Sequence, residues 1–258
     1  MTIHRLFCRL GSMYDLISNL QFSFLKKFYR IDTSAPASEY RLSLDKIFTD
    51  DFPGKVSGKF VVDFGCGLGE DTKKMAEWGA KLSLGLEIRE ELVKKNSEKI
   101  KLANCSFATT LPDQLKSKAD LIISIDAFEH FSHPVQMLKI MYDCLRPGGN
   151  AYISFGPTWY HPYGGHAFSM FPWAHLLFTE KALVRWRNQF YHDGATRFHE
   201  VAGGLNTLPI STFERMFKES GFVIEDLNCK PIMGKKWIQK IIGREFFTSL
   251  VLVRLKKT

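Results

Sequence analysis

The stretch VVDFGCGLGED, residues 61–71, sets three glycines at alternate positions directly behind an apolar, β-branched run. Such a run suits a strand buried on both faces. Glycines behind it let the backbone turn tightly or approach a ligand where a Cβ would collide. Strand, glycine turn and helix is the general arrangement for holding a phosphate or nucleotide at a helix N-terminus. Spacing excludes two familiar versions. A P-loop closes on Gly-Lys-Ser/Thr, and none follows. A dinucleotide fingerprint needs G-x-G-x-x-G, its third glycine allowing close helix packing; here the order is Gly65-x-Gly67-x-Gly69.

The flanking sequence alternates strand-like and helix-like segments. FVVDF (60–64), LSLGLEI (82–88), SFATT (106–110), DLIISID (120–126) and NAYISFG (150–156) read as strands. A helix is expected from Asp71 to about Trp78, stopped by Gly79, and another from Glu90, with Glu90/Lys94 and Glu91/Lys95 at i,i+4 spacing. Pro134 suits the first turn of a third, whose Val135, Leu138, Met141 and Leu145 form one apolar face and which RPGG (146–149) ends. Residues 157–209 break the pattern. Beyond them Ser211-x-x-Glu214 has capping-box spacing around Phe213, Met216 and Phe217, with Gly221 behind. FVIEDLNC (222–229) and FTSLVLVRL (247–255) are the last strands. The alternation predicts an α/β fold with a doubly wound, mostly parallel, seven-stranded sheet. A helical N-terminal segment (1–57) precedes the main domain (58–258), within which 157–209 is an insertion after strand five.

VVDFGCGLGED, the acidic strand end at Glu87, SIDAFEHF (124–131) and LRPGG (145–149) fall in register over this topology. Together they resemble the class I S-adenosylmethionine-dependent methyltransferases, of the small-molecule type found in ubiquinone biosynthesis. The resemblance covers residues 58–157 and 210–256. It implies a Rossmann-like methyltransferase fold with an antiparallel last strand, and S-adenosyl-L-methionine as cofactor. In that family the glycine-rich loop, here Gly65, Cys66, Gly67 and Gly69, passes the amino-acid part of the cofactor. Asp63 orders the loop or meets the cofactor's amino group. Glu87, 18 residues after Gly69 and beside Ile88, takes both ribose hydroxyls. The segment after strand four, with Asp126 and Ala127, faces the methyl donor. At the adenine edge SFATTLP (106–112) offers Phe107, Thr109 and Thr110 where the family often has a carboxylate, so backbone groups and a hydroxyl are expected there. Asp126 and Glu129 suit helix capping equally well, and His130 reads as a packed strand-end histidine or as a base.

Ligands of open α/β sheets bind outside the carboxyl ends of the strands. The insertion leaving strand five therefore starts where an acceptor would sit, and GPTWYHPYGGHAFSMFPWAHLLF (156–178) is read as an aromatic substrate lid. Trp159, Tyr160, Tyr163, Phe168 and Trp173 offer an apolar wall, or else pack the insertion onto the sheet. His161 and His166 are candidate bases for a hydroxyl proton, a role worth about 10²–10⁴ in rate. A metal on His161, His166 and His175 is the weaker reading, because the spacings match no ligand motif and no carboxylate lies among them. No metal is assigned.

Composition narrows the class. The 258 residues are enough for one well-buried domain, and 45% apolar with 24% charged residues is ordinary for a globular protein. No run approaches the roughly 20 apolar residues of a membrane span. Arg5, Arg9 and Asp15 interrupt the apolar N-terminus, against a signal peptide. Five cysteines without a CxxC pair point to a reducing, cytoplasmic setting rather than a disulfide framework. The net charge of +8 is densest over Lys230, Lys235, Lys236, Lys240, Arg244, Arg254, Lys256 and Lys257, which admits nucleic acid or anionic lipid as a partner. Nucleic acid is disfavoured. No Asn/Asp-Pro-Pro-aromatic signature or Pro-Cys nucleophile follows strand four, and no separate binding module is recognisable. The expectation is a cytoplasmic enzyme that transfers methyl to an oxygen, or a nitrogen, of a small or glycan- or lipid-linked metabolite; an enzyme docked peripherally at the inner face of the membrane is a competing reading. The alternatives are a non-catalytic scaffold of the same fold, against which the intact Gly65, Gly67 and Glu87 argue, and a nucleic-acid methyltransferase.

Overall fold

The computed structural model describes residues 3–25, 27, 44–48, 51–169, 171–189, 192, 194–200 and 205–258. The run Phe60–Phe64 forms β1, buried at every position as a central strand must be. Around it lie β2 (Leu82–Leu86), β3 (Cys105–Ala108), β4 (Ala119–Ile125), β5 (Leu145–Phe155), β6 (Val223–Pro231) and β7 (Thr248–Lys256). The seven strands make one sheet in the order β3-β2-β1-β4-β5-β7-β6. β1 to β5 are parallel, and β7 runs antiparallel to both β5 and β6. The winding reverses between β1 and β4, so the carboxyl ends of these two strands border the crevice where such sheets take ligands.

The helices are α1 (Ile3–Leu25), α2 (Leu44–Ile47), α3 (Phe52–Val56), α4 (Glu70–Glu77), α5 (Glu90–Lys99), α6 (Pro134–Cys144), α7 (Ala174–Leu177), α8 (Glu180–Arg187), α9 (Ile210–Glu219) and α10 (Lys236–Ile242). Neighbouring residues of a strand point to opposite faces, and β1 shows it. Val62 joins a cluster with Leu84, Ile122, Ile153, Phe213 and Phe217, while Val61 joins Phe52, Val56, Met75, Leu121 and Ile123. Leu44, Ile47, Phe52 and Val56 thus share a core with the sheet. A third cluster lies within the insertion, where Phe168, Phe171, Leu183, Val184 and Trp186 gather around Phe22 of α1. The Phe22 ring is 5.0 Å from that of Trp186 and 5.3 Å from that of Phe178. Phe168, weighed either as acceptor wall or as packing for the insertion, is interior, at 1% exposure. Among the described residues no helix is long and apolar enough to cross a membrane.

Three local expectations are replaced. Leu145 belongs to β5, opposite Ala119, and a register shift brings Asn150 opposite Leu121, so Arg146–Gly149 is an irregularity inside a strand pair rather than a turn before it. Val135 faces solvent at 60% exposure, and Leu138, Met141 and Cys144 carry the buried face of α6. The Ser211–Glu214 capping box does not form. The amides of Ile210 and Ser211 donate instead to the two carboxylate oxygens of Glu245, at 2.7 and 2.8 Å. Glu214 meanwhile takes the Arg244 guanidinium. A carboxylate from a distant loop satisfies the orphan amides more completely than Ser211 would. Glu245→Ala is expected to destabilise the chain by about 1 kcal/mol, read as a lower urea midpoint at unchanged slope; an unchanged midpoint would show that the cap contributes nothing.

Candidate active site

The ends of β1 and β2 are joined through one loop. The Gly65 and Cys66 amides both donate to the Leu86 carbonyl, at 2.9 and 3.0 Å. Gly65, Gly67 and Gly69 have φ of +78°, +53° and +73°, a left-handed run that side chains strain. Their surroundings differ. A Cβ on Gly65 would lie 2.7 Å from Ala127 Cβ, and one on Gly69 2.7 Å from the Phe107 ring. A Cβ on Gly67 would meet nothing within 4 Å. The outer glycines allow the loop to pack, and the middle one borders open space.

Glu87 holds this loop. It is 5% exposed; Oε2 accepts from the Gly67 amide at 3.0 Å and from Arg89 Nη2 at 3.1 Å. Oε1 accepts from the Arg89 amide and Nε at 3.1 and 2.9 Å. Burial pushes the carboxyl up, but the hydrogen bonds from Arg89 and Gly67 outweigh it and hold it below its ordinary value, so it is ionised at neutral pH. Asn96 of α5, 1% exposed, donates to the Gly67 carbonyl at 2.8 Å. Buried Asp63 accepts from Thr72 Oγ1 at 2.7 Å, tying β1 to α4. The Cys66 thiol is buried, and desolvation first, then Asp63 and Glu87, push its pKa strongly up, which leaves it inert. Ile88 stands 86% exposed beyond the end of β2, with Thr109 also exposed, whereas Phe107 turns inward against Gly69 and Gly85.

Across the crevice, Asp126 is exposed in a left-handed conformation (φ +50°), and Ala127 is buried against Gly65. Glu129 is buried. Its Oε1 accepts from the Gly156 amide at 3.0 Å, and Oε2 has no hydrogen-bond partner. Burial pushes this carboxyl up to about 8, with the Gly156 amide opposing. His130 is half-buried, and its ring lies 5.1 Å from that of His166, edge to face. Glu129, His130 and His166 offer ligand-type atoms all within 4.8 Å of one another. This trio differs from the His161, His166 and His175 set weighed on sequence, and it contains the carboxylate that set lacked. Burial first, then His130, lowers His166 to about 4; its Nε2 lies 3.3 Å from the Pro157 carbonyl. Glu129, Thr158, Trp159, Asn206 and Phe213 are among the residues lining a narrow crevice too tight to admit a water molecule. Thr158 Oγ1 in this cleft also lacks a partner. Asn206 fixes the far end of the insertion here, its amide donating to the Glu129 carbonyl at 3.0 Å and Nδ2 to that of Phe128 at 3.0 Å.

The other aromatic and histidine candidates hold the insertion together. His161 Nδ1 accepts from the Tyr163 amide at 3.0 Å, and burial, then His175, lowers its pKa to about 4. His175 bonds the Trp159 carbonyl and Ser169 Oγ. Trp173 Nε1 donates to the Tyr160 carbonyl at 3.0 Å. Tyr160 stacks toward Phe246 at 5.2 Å, and Tyr163 is 48% exposed. Of the four substrate candidates, Trp159 alone lines the cleft. Arg89, Asn96, Thr72 and Asn206 were not anticipated. Only Asn96 carries a sequence signal, as a polar residue at an inward helix position between Val93 and Ile100.

A doubly wound sheet with an open glycine loop after β1 and an acid closing β2 defines a nucleotide-type cofactor site of the methyltransferase class. The methyltransferase domain family matches residues 37–227, and the chain belongs to this family, whose cofactor is S-adenosylmethionine. It is 29% identical over 114 residues to the ubiquinone biosynthesis O-methyltransferase of Idiomarina loihiensis, covering 42% of this chain and 46% of that protein. It is 27% identical over 112 residues to the same enzyme of Acinetobacter baylyi, covering 41% and 47%. The chain thus spans about half the length of the curated relatives it matches. The fold is shared with an S-adenosylmethionine-dependent methyltransferase from Mesorhizobium loti (TM-score 0.53, 19% identity, 81% of this chain and 99% of that one). It is also shared with magnesium protoporphyrin IX methyltransferase from Synechocystis, solved with bound SAH (TM-score 0.50, 17% identity, 96% and 99%).

Two outcomes are expected. Gly67→Val, whose side chain has room but is strained at φ +53°, should abolish S-adenosylmethionine binding by calorimetry, with a urea transition to report that the chain still folds; retained tight binding contradicts the loop assignment. The second concerns pH. Between 4.5 and about 8 the unfolded chain releases the Glu129 proton while the folded chain keeps it, so stability falls as pH rises through that window. For His166 the folded value lies below the unfolded one, so stability falls as pH drops from 6.5 toward about 4. In urea titrations Glu129→Gln should therefore gain on the parent with rising pH, and His166→Gln with falling pH. A stability gap independent of pH contradicts either assignment.

Proposed function

We propose that the chain transfers the S-methyl group of S-adenosylmethionine to an oxygen of a small-molecule acceptor held between the segment after β4 and the insertion. The observation that carries this reading is the pairing, at one end of the sheet, of an open glycine loop with a cleft bearing unpartnered polar atoms on Glu129 and Thr158. The ubiquinone-biosynthesis relatives are by name O-methyltransferases, which favours oxygen over nitrogen. The cofactor supplies the reactive sulfonium; the chain supplies alignment, exclusion of water and a proton acceptor.

The Gly65–Gly69 loop would hold the amino-acid part and Glu87 the ribose. Arg89 already occupies part of that carboxylate, so a ribose diol would displace a guanidinium whose side chain is 47% exposed. Ile88 and Thr109 would border the adenine. The insertion acts as the lid, with Trp159 over the acceptor. Among the histidines, His130, half-buried on the segment after β4, would be the base. His161 and His166, both lowered to about 4, are weak bases at neutral pH; His166 positions His130 through its ring edge.

Transfer of labelled methyl from S-adenosylmethionine into a fractionated cell extract tests the reading. Label is expected in the lipid or small-molecule fraction, and lost with Gly67→Val. His130→Ala should lower turnover by about 10²–10⁴ with cofactor affinity unchanged. Absence of cofactor binding by the parent chain would leave the scaffold reading standing, and label confined to nucleic acid would overturn the acceptor class.

A further inference from the structure

The connection between β6 and β7, residues 232–247, lies at the carboxyl end of the parallel strands. Phe155, the last residue of β5, pairs with Val251 near the start of β7, and Pro231, at the end of β6, pairs with Thr248. The connection is clamped in place. Arg244 bonds Glu214, Glu245 caps α9, and Gln239 Nε2 donates to the Cys229 carbonyl and Thr248 Oγ1 at 3.2 and 2.8 Å. The Phe246 ring meets Tyr160 of the insertion at 5.2 Å.

So held, the segment turns large apolar side chains to water. Met233, Trp237 and Ile241 are 83%, 64% and 76% exposed, at positions four residues apart, with Ile242 at 48% beside them. Lys235, Lys236 and Lys240 are exposed among them, and Lys230 flanks the strand end. None of these four lysines has an ion-pair partner among the described residues. Glu245 is the only acid between Lys230 and Phe247, and it is engaged on α9. A patch of Trp, Ile and Met ringed by lysines on a short helix has the chemistry of an interfacial element, which sinks its apolar face at the headgroup level of an anionic bilayer. The apolar face of α1 (Leu16, Leu20 and Phe24, 59%, 64% and 60% exposed) differs, because no lysine or arginine lies between Met13 and Leu25.

We propose that residues 232–247 dock this chain on an anionic membrane surface, with Met233, Trp237, Ile241 and Ile242 inserted and the four lysines against lipid phosphates. The carboxyl-end site then faces the bilayer, and its acceptor is a membrane-resident amphiphile bearing a hydroxyl. The acceptor class rests on the reading given under Proposed function; the docking does not.

Co-sedimentation of the full chain with vesicles tests it, using phosphatidylcholine alone and phosphatidylcholine mixed with phosphatidylglycerol, at low and high salt. Binding is expected to the mixed vesicles at low salt and to weaken at high salt. Replacing Lys235, Lys236 and Lys240 by Gln should weaken it about 10²-fold, roughly fivefold for each lysine. Trp237→Ser with Ile241→Ser should weaken it about tenfold or more, and Leu16→Ser with Leu20→Ser should leave the salt-sensitive binding intact. Calorimetry of S-adenosylmethionine on every variant reports folding and separates the two readings: vesicle binding without cofactor binding keeps the docking and sinks the methyltransferase activity, and the reverse sinks the docking. Equal binding to neutral vesicles, binding unmoved by the lysine and Trp237/Ile241 variants, or pelleting without vesicles through self-association would each overturn the proposal.

Discussion

One buried carboxylate, Glu87, sets the geometry of the glycine loop after β1. Four hydrogen bonds, two to each oxygen, come from the Gly67 amide, the Arg89 amide and the Arg89 guanidinium. A carboxylate has about four lone-pair sites, so this one is fully used. The bond to Gly67 holds the middle of a loop whose three glycines are all left-handed, while Asn96 holds the carbonyl of the same residue from α5. The peptide groups of Gly67 are thereby fixed on both sides, and the open face of the loop is their consequence. Without the acid, a loop that lacks side-chain anchors at its glycines would have many accessible conformations.

The second buried acid at this end of the sheet is driven the other way. Glu87 has a guanidinium and is held ionised; Glu129 has a single backbone donor and desolvation carries it to about 8. With His161 and His166 both lowered to about 4 by burial, these buried groups near β5 are held toward their neutral forms, while the β2 side carries an ion pair. Methyl transfer from a sulfonium to an oxygen anion removes charge from the reacting pair. A weakly polar setting favours such a step, and on the function proposed above a crevice narrow enough to exclude water would supply one. The division of the two acids into charged and neutral roles follows the general pattern by which environment sorts chemically identical groups.

Much of this was legible in the sequence because it is local. The β-branched run before Gly65, the acid closing β2 and the regular return of strands through β5 each depend on neighbours within a few residues. What was not legible depends on distant partners. Arg89 is two residues from Glu87, but its pairing competes with solvent and no pattern announces it. Asn206 reaches Phe128, 78 positions away, and Glu245 reaches Ile210, 35 away, displacing the local Ser211–Glu214 box. The histidines divide for the same reason. His161 and His175 answer to backbone groups of the insertion, whereas His166 meets His130 across the strand ends.

The antiparallel β7 gives this end of the sheet its crowding. A parallel β7 would need a crossover that carries the chain back along the whole sheet. Because β7 reverses, the link from β6 stays at the carboxyl end, where Phe155 passes opposite Val251 and the insertion departs. Whatever residues occupy 232–247 must then lie beside the site, and Phe246 against Tyr160 is the contact that results. Glu214 and the amides of Ile210 and Ser211 take up the charged side chains of Arg244 and Glu245, which orients the link and leaves Met233, Trp237 and Ile241 outward. Reversing one strand therefore sets the β6–β7 link against the insertion, through the Phe246 and Tyr160 rings.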